Sequence, residues 1–141
     1  MDYPINPMKQ AIAAGATFIA RTTHSNPAHV MQMMEAAMDH DGFSFVECLS
    51  ECVEFYEGAF DASNPRKGGV FNLVPASHDA TNEMAAYKLA DEPFPGSFGI
   101  FYKVIKPTKN AKELALNATA MEKVKGLKDW QILQKSFDRM K

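Results

Sequence analysis

The sequence predicts an α/β fold: a parallel-sheet βαβ core, one further strand and a C-terminal helical extension. Three observations carry that expectation. Asn6-Pro7 and Asn26-Pro27 repeat one device, an Asn that caps the orphan amides of a helix start and a Pro suited to the first helical position. Residues 17–20 and 43–49 are short, mostly apolar runs of the kind that buried parallel strands show. The segment after residue 108 is periodic in the way of amphipathic helices.

Taken in order, a first helix is expected from residue 7 to about 14, closed by Gly15, which tolerates a left-handed cap. The run of Thr17, Phe18, Ile19 and Ala20 follows as a strand covered on both faces. A second helix places Val30, Met33, Met34, Ala37 and Met38 on one core-facing stripe and ends near Asp41-Gly42. Residues 43–49 form the second buried strand, and strand-helix-strand over some thirty residues is a βαβ unit with a right-handed crossover and a parallel sheet. Loops dominate residues 57–78, with a short edge strand at 70–74. Asp79 is a candidate cap for a helix over residues 80–90, residues 98–105 are the best remaining strand, and two helices occupy 109–125 and the segment after Asp129. A sheet this narrow cannot shield its own edges and faces, so the chain reads as part of something larger.

Composition narrows the function classes. The 141 residues are 46% hydrophobic and 23% charged, which is ordinary for one folded domain. A net charge of -2 with both signs well mixed provides no basic face for nucleic acid and no polybasic segment for a membrane. No leader pattern and no membrane-length apolar run is present, so a cytoplasmic protein is expected. The two cysteines, Cys48 and Cys52, would then be reduced, leaving core packing, redox chemistry or metal ligation. Nine methionines are read as gap-filling core residues before partner-facing ones.

The ordered set Asn6-Pro7, residues 14–21 (AGATFIAR), Asp41-Gly42-Phe43 and residues 49–55 (LSECVEF) resembles the β subunit of 2-oxoacid:ferredoxin oxidoreductases, the 2-oxoglutarate and pyruvate types in particular. Residues 78–82 (HDATN), Met84-Ala85-Ala86, residues 99–102 (GIFY) and Lys106-Pro107-Thr108 continue the match. The resemblance covers residues 4–108 and implies the C-terminal half of a thiamine-diphosphate-binding domain over residues 1–108, with a helical tail over 109–141. It also implies an activity: oxidative decarboxylation of a 2-oxoacid to an acyl-CoA, with electrons passing to ferredoxin. The cofactors implied for the assembled complex are thiamine diphosphate, Mg²⁺ and a 4Fe-4S cluster. Its partners would be the remaining half of the β subunit, an α subunit and ferredoxin, with a 2-oxoacid and coenzyme A as substrates. Cys52 falls on the family position that supplies a remote fourth thiolate to the cluster.

Two departures stand beside the match. Glu51 and Glu54 replace the Pro and Thr usual around that cysteine; they would either lower the potential of a bound cluster or mark a chain that binds none. The family's Gly-Asp-Gly stretch, its downstream Asn and three further cysteines are not in this sequence. The chain is therefore expected to be a split subunit or fragment that works only with partner chains, or else a noncatalytic assembly module derived from the fold. A half-domain of another thiamine enzyme is the third possibility, and it gives Cys52 no reason to be where it is.

Plain readings remain for each residue. Cys48 is expected to be a small buried side chain, and Cys52 is left between a strand-end core thiol and a cluster ligand. Their spacing suits no redox pair. His24, His29, His40 and His78 lack metal-ligand spacing and are read as solvated or capping. Glu51, Glu54 and Glu57 read as a solvated acidic face, and residues 21–25 as an ordinary loop at the carboxyl end of the first strand.

Overall fold

Six consecutive buried residues make Phe18–Thr23 (β1) the central strand of the sheet. It lies between Ser44–Leu49 (β2), paired in parallel from Phe18 opposite Ser44 to Thr23 opposite Leu49, and Gly99–Lys103 (β3), which runs antiparallel with a bulge between Ile19 and Ala20. The computed structural model describes residues 4–140. Its helices are Pro7–Ala13 (α1), Pro27–Met38 (α2), Glu83–Ala90 (α3), Lys109–Val124 (α4) and Asp129–Asp138 (α5). The chain divides into two compact units, Met1–Lys106 and Pro107–Lys141.

Within the first unit the side chains of β1 alternate between two layers, as strand geometry requires. Ile19 joins Met8, Ile12, Leu89 and Phe101 under α1 and α3, whereas Phe18 and Ala20 pack with Met33 beneath α2. Phe18, Phe98 and Phe101 are fully buried, each contributing about 1.5 to 3 kcal/mol by removal of its ring from water. The α/β class and the βαβ core hold. The sheet is mixed and not parallel, because the long return through residues 50–98 delivers the third strand to the far side of β1 in the opposite direction.

Other expectations shift for identifiable reasons. β2 is an edge strand, half-exposed along its length, since no strand pairs beyond it among the described residues. The helix α2 is rotated from the expected stripe: Met34 is 42% and Met38 77% exposed, and His29, Met33, Ala36 and Ala37 turn inward. The cause is polar. His29 Nδ1 is 2.8 Å from Thr22 Oγ1 on β1, and just past the helix His40 Nε2 is 2.8 Å from Thr17 Oγ1, the residue before the strand, so a His–Thr hydrogen bond fastens the chain at each end of the helix. These two histidines are buried and not solvated. Asn26 and Asn6 cap α2 and α1 as expected, each side chain accepting a backbone N–H of the first turn.

Asn82, not Asp79, caps α3, its carbonyl oxygen accepting from Met84 and Ala85 N–H. Asp79 instead accepts from the backbone N–H and hydroxyl of Thr81 in the preceding turn, and these hydrogen bonds hold its carboxyl below the usual range. The expected strand at 70–74 is reduced to one bridge between Leu73 and Phe98. Gly42 is needed where it stands, because a β-carbon there would collide with Thr17 Oγ1 and His40 Nε2. Gly42→Ala should break that buried bond and lower stability by about 1 to 3 kcal/mol, measurable as a reduced urea midpoint with an unchanged slope.

The second unit is a pair of helices. Thr108 caps α4 by accepting from Ala111 N–H, and Gln131 accepts from Lys128 N–H at the start of α5. Neither helix has a buried residue.

Candidate functional site

Leu49 ends β2 at its carboxyl edge, and the chain then folds back on itself between Glu51 and Gly58. The Cys52 carbonyl accepts from Tyr56 N–H at 2.8 Å and Phe55 N–H at 3.3 Å, forming a tight turn over residues 52–56. A carboxylate oxygen of Glu51 accepts from Gly58 N–H and closes the loop at its base. Glu51 Oε2 also lies 3.9 Å from His24 Nε2, while His24 N–H donates to Leu49 O at 3.0 Å and prolongs the β1–β2 ladder. Glu51 therefore acts as a clip for the loop and is not part of a purely solvated face. Glu54 and Glu57 are exposed and have no ion-pair partner among the described residues.

Both thiols are free and exposed. That overturns the buried reading of Cys48, which follows from β2 being an edge strand: the register puts Cys48 beside Thr22, at the rim of the α2 layer. It also removes the strand-end core reading of Cys52, whose side chain stands on the pinned turn with Val53, Phe55 and Tyr56 exposed around it. Among the described residues no three His, Cys, Asp or Glu side chains are gathered to hold a metal. The chain thus presents two exposed thiols of the soft type that iron–sulfur clusters take, and no set of three candidate ligands among the described residues.

The segment that follows the loop is tied by its own contacts. Asp61 pairs with Lys67 at 2.7 Å, and this hydrogen-bonded carboxylate raises the lysine's pKa above its ordinary value. Val70 N–H donates to Ala62 O at 2.8 Å, a return possible only because Gly69 lacks a side chain: a β-carbon there would run into the backbone of Asp61 and Ala62.

A cavity of about 300 Å³ opens beside the sheet, lined in part by Asn6, Arg21, Glu47, Leu49, Glu92 and Phe94. Arg21, at the end of the AGATFIAR run, belongs to the strand and not to a loop. It is buried, its Nε donates to Glu47 Oε2 at 2.6 Å, its Nη1 donates to Pro95 O at 3.4 Å, and its guanidinium lies 5.3 Å from the centre of the Phe101 ring. Sequence reasoning missed this pair. The signal available was that Arg21 is followed by two β-branched threonines, which extend a strand better than they make a loop.

Burial also acts on His29. Its ring packs edge-on to Phe71, centroids 5.0 Å apart, and the lost hydration lowers its pKa. An unfolded His29 then binds protons more readily than the folded one, so stability should fall as pH drops through the unfolded value of about 6.5 and level off below the depressed folded value. Chemical denaturation at stepped pH should show this loss, and His29→Gln should flatten it.

No family model matches the chain. It is similar to the 2-oxoglutarate oxidoreductase subunit KorB of Mycobacterium tuberculosis, with 39% identity over 78 residues, 55% of this chain and 21% of that protein. It is similar to the 2-oxoglutarate synthase subunit KorB of Methanocaldococcus jannaschii, with 40% identity over 55 residues, covering 39% of this chain and 20% of that one. The β subunit of 2-oxoacid:ferredoxin oxidoreductase 1 of Aeropyrum pernix shares 29% identity over 120 residues, 77% of this chain and 36% of its own length. Among solved structures, the 2-oxoglutarate:ferredoxin oxidoreductase of Magnetococcus marinus matches with a TM-score of 0.72 and 25% identity, over 94% of this chain and 45% of that one. The matched part thus spans about a fifth to a third of the curated relatives and under half of the solved chain. The resemblance read from the motifs is borne out, and the structural likeness continues past the residues 4–108 that carried it.

Proposed function

We propose that this chain is part of a 2-oxoacid:ferredoxin oxidoreductase β subunit, with Cys52 as the remote fourth thiolate of a 4Fe-4S cluster. One observation carries the proposal: in a fold shared with a 2-oxoglutarate:ferredoxin oxidoreductase, Cys52 is a free, exposed thiol on a loop pinned at its base by Glu51 and Gly58. The fit is that of one ligand in four. The other three thiolates, and the groups that hold thiamine diphosphate through Mg²⁺, belong to the remaining half of the β subunit. The half-exposed β2 edge, which no strand extends here, is where that half would add to the sheet.

Thiamine diphosphate, when bound, would supply the electron sink for decarboxylation, and a cluster held in part by Cys52 would supply one-electron redox chemistry. This chain's own contribution is positional and electrostatic. Glu51 fixes the loop, and Glu54 and Glu57, both exposed near Cys52, add negative charge that lowers the potential of a cluster ligated there. The names of the relatives favour 2-oxoglutarate over pyruvate as substrate, with coenzyme A taking the acyl group. An α subunit completes the complex, which would work in the cytoplasm, where thiols stay reduced.

Joining the chain with segments carrying the three other cysteines and the Gly-Asp-Gly stretch, plus an α subunit, tests the proposal. A brown complex that reduces a viologen dye on addition of 2-oxoglutarate, coenzyme A and thiamine diphosphate supports it. A colourless, inactive complex overturns it in favour of a noncatalytic module. The loop-clip role of Glu51 favours that second reading, since it explains the residue without a cluster.

A further inference from the structure

The helices α4 and α5 form a unit with no buried residue, although Leu114, Leu116, Met121, Trp130, Leu133 and Phe137 are all exposed. A helical pair of this size without a core does not hold its apolar surface in water unaided. Between the helices runs a groove of about 590 Å³, with Leu116, Val124 and Ile132 in its lining. Lys123, Lys135 and Arg139 line it too, no carboxylate does, and none of the three has an ion-pair partner among the described residues. The groove is apolar and cationic, so its occupant should be apolar and anionic.

The charges of the chain are segregated accordingly, and not well mixed as the whole-chain balance suggests. Residues 107–141 hold eight Lys and Arg against four Asp and Glu, whereas residues 1–106 hold seven against thirteen. One segment of the acidic unit has the chemistry the groove lacks. The turn that follows Cys52 reads Val53-Glu54-Phe55-Tyr56-Glu57, with Phe55 92% exposed and both carboxylates unpaired among the described residues.

We infer that two copies of this chain associate reciprocally, the acidic aromatic turn 53–57 of each docking into the cationic α4–α5 groove of the other. Phe55 and Tyr56 would cover the Leu116, Val124 and Ile132 surface, and Glu54 and Glu57 would meet Lys123, Lys135 and Arg139. Exchanged in both directions, the two contacts make an isologous pair, as a twofold dimer requires. It stands on charge and exposure and not on cluster ligation, so its failure leaves the Cys52 proposal intact.

Sedimentation velocity of the purified chain tests it. The wild type should sediment as a dimer at low salt and shift towards monomer at high salt, as screening weakens each five-charge contact. Lys135→Glu with Arg139→Glu should give a monomer, and so should Glu54→Lys with Glu57→Lys. An equimolar mixture of the two reversed variants should recover the dimer, because both contacts between unlike chains are then attractive while those between like chains repel. That recovery also shows that neither variant has simply unfolded. A wild-type monomer, a dimer indifferent to both reversals, or a mixture that stays monomeric would each overturn the inference.

Discussion

Arg21→Leu should lower the unfolding free energy by about 3 to 5 kcal/mol, the cost of leaving one member of a buried ion pair without its counter-charge. The side chains of Arg21 and Glu47 are only 9% and 14% exposed, so solvent screening does little to soften the loss. The effect should reach beyond the pair. Arg21 is buried on β1, Glu47 stands on the edge strand, and Arg21 Nη1 also donates to Pro95 O at 3.4 Å, so one side chain holds two strands and the loop before β3. Glu47→Leu alone should cost a similar amount. The double variant Arg21→Met with Glu47→Leu should recover most of the stability, because an apolar pair of similar volume avoids the desolvation of both charges. A double-mutant cycle by urea denaturation checks this, and additive losses would show that the two residues act independently.

If Cys52 is the cluster ligand proposed above, Cys52→Ser should abolish electron transfer in the assembled complex while sparing the fold of this chain. The side chain is exposed and its hydrogen bonding is confined to the backbone, so exchanging sulfur for oxygen disturbs no packing. Loss of the proposed thiolate ligand, in contrast, would strip the cluster of its fourth attachment. Iron content and the visible absorption near the sulfur-to-iron charge-transfer band should fall, viologen reduction should drop to background, and the melting temperature of the first unit should stay where it was. Cys48→Ser serves as the control and should change none of these, since the register aligns Cys48 with Thr22, on the strand and not on the loop. Equal effects from both substitutions would sink the assignment. Removing the nearby charge is a gentler probe. Glu54→Gln should raise the cluster potential with little change in stability, because its carboxylate is exposed and unpaired.

The parts of the fold that were legible are those set by neighbours in sequence. The Asn-Pro helix starts, the crossover between β1 and β2, and the two C-terminal helices all rest on local signals, namely a capping side chain, an apolar run or a helical period. The rotation of α2 was not legible, because the apolar period selects methionines whereas the observed face goes with two hydrogen bonds to threonines outside the helix, between Thr22 and His29 and between Thr17 and His40. A polar residue that is buried with its partner looks solvated in sequence. The candidate site divides the same way. The LSECVEF motif located Cys52, but its exposure, the clip from Glu51 to Gly58 and the exposed thiol of Cys48 depend on where β2 lies in the sheet.

By itself the sequence determined the family likeness, the α/β class and the identity of the one thiol worth testing, since motif order and local periodicity are properties of the chain read end to end. Only the tertiary structure decided strand order, the antiparallel third strand, the Arg21–Glu47 pair and which apolar groups stay uncovered. These outcomes join residues far apart in sequence, and what selects among such pairings is the burial of whole surfaces and the pairing of buried charges, which no local pattern records.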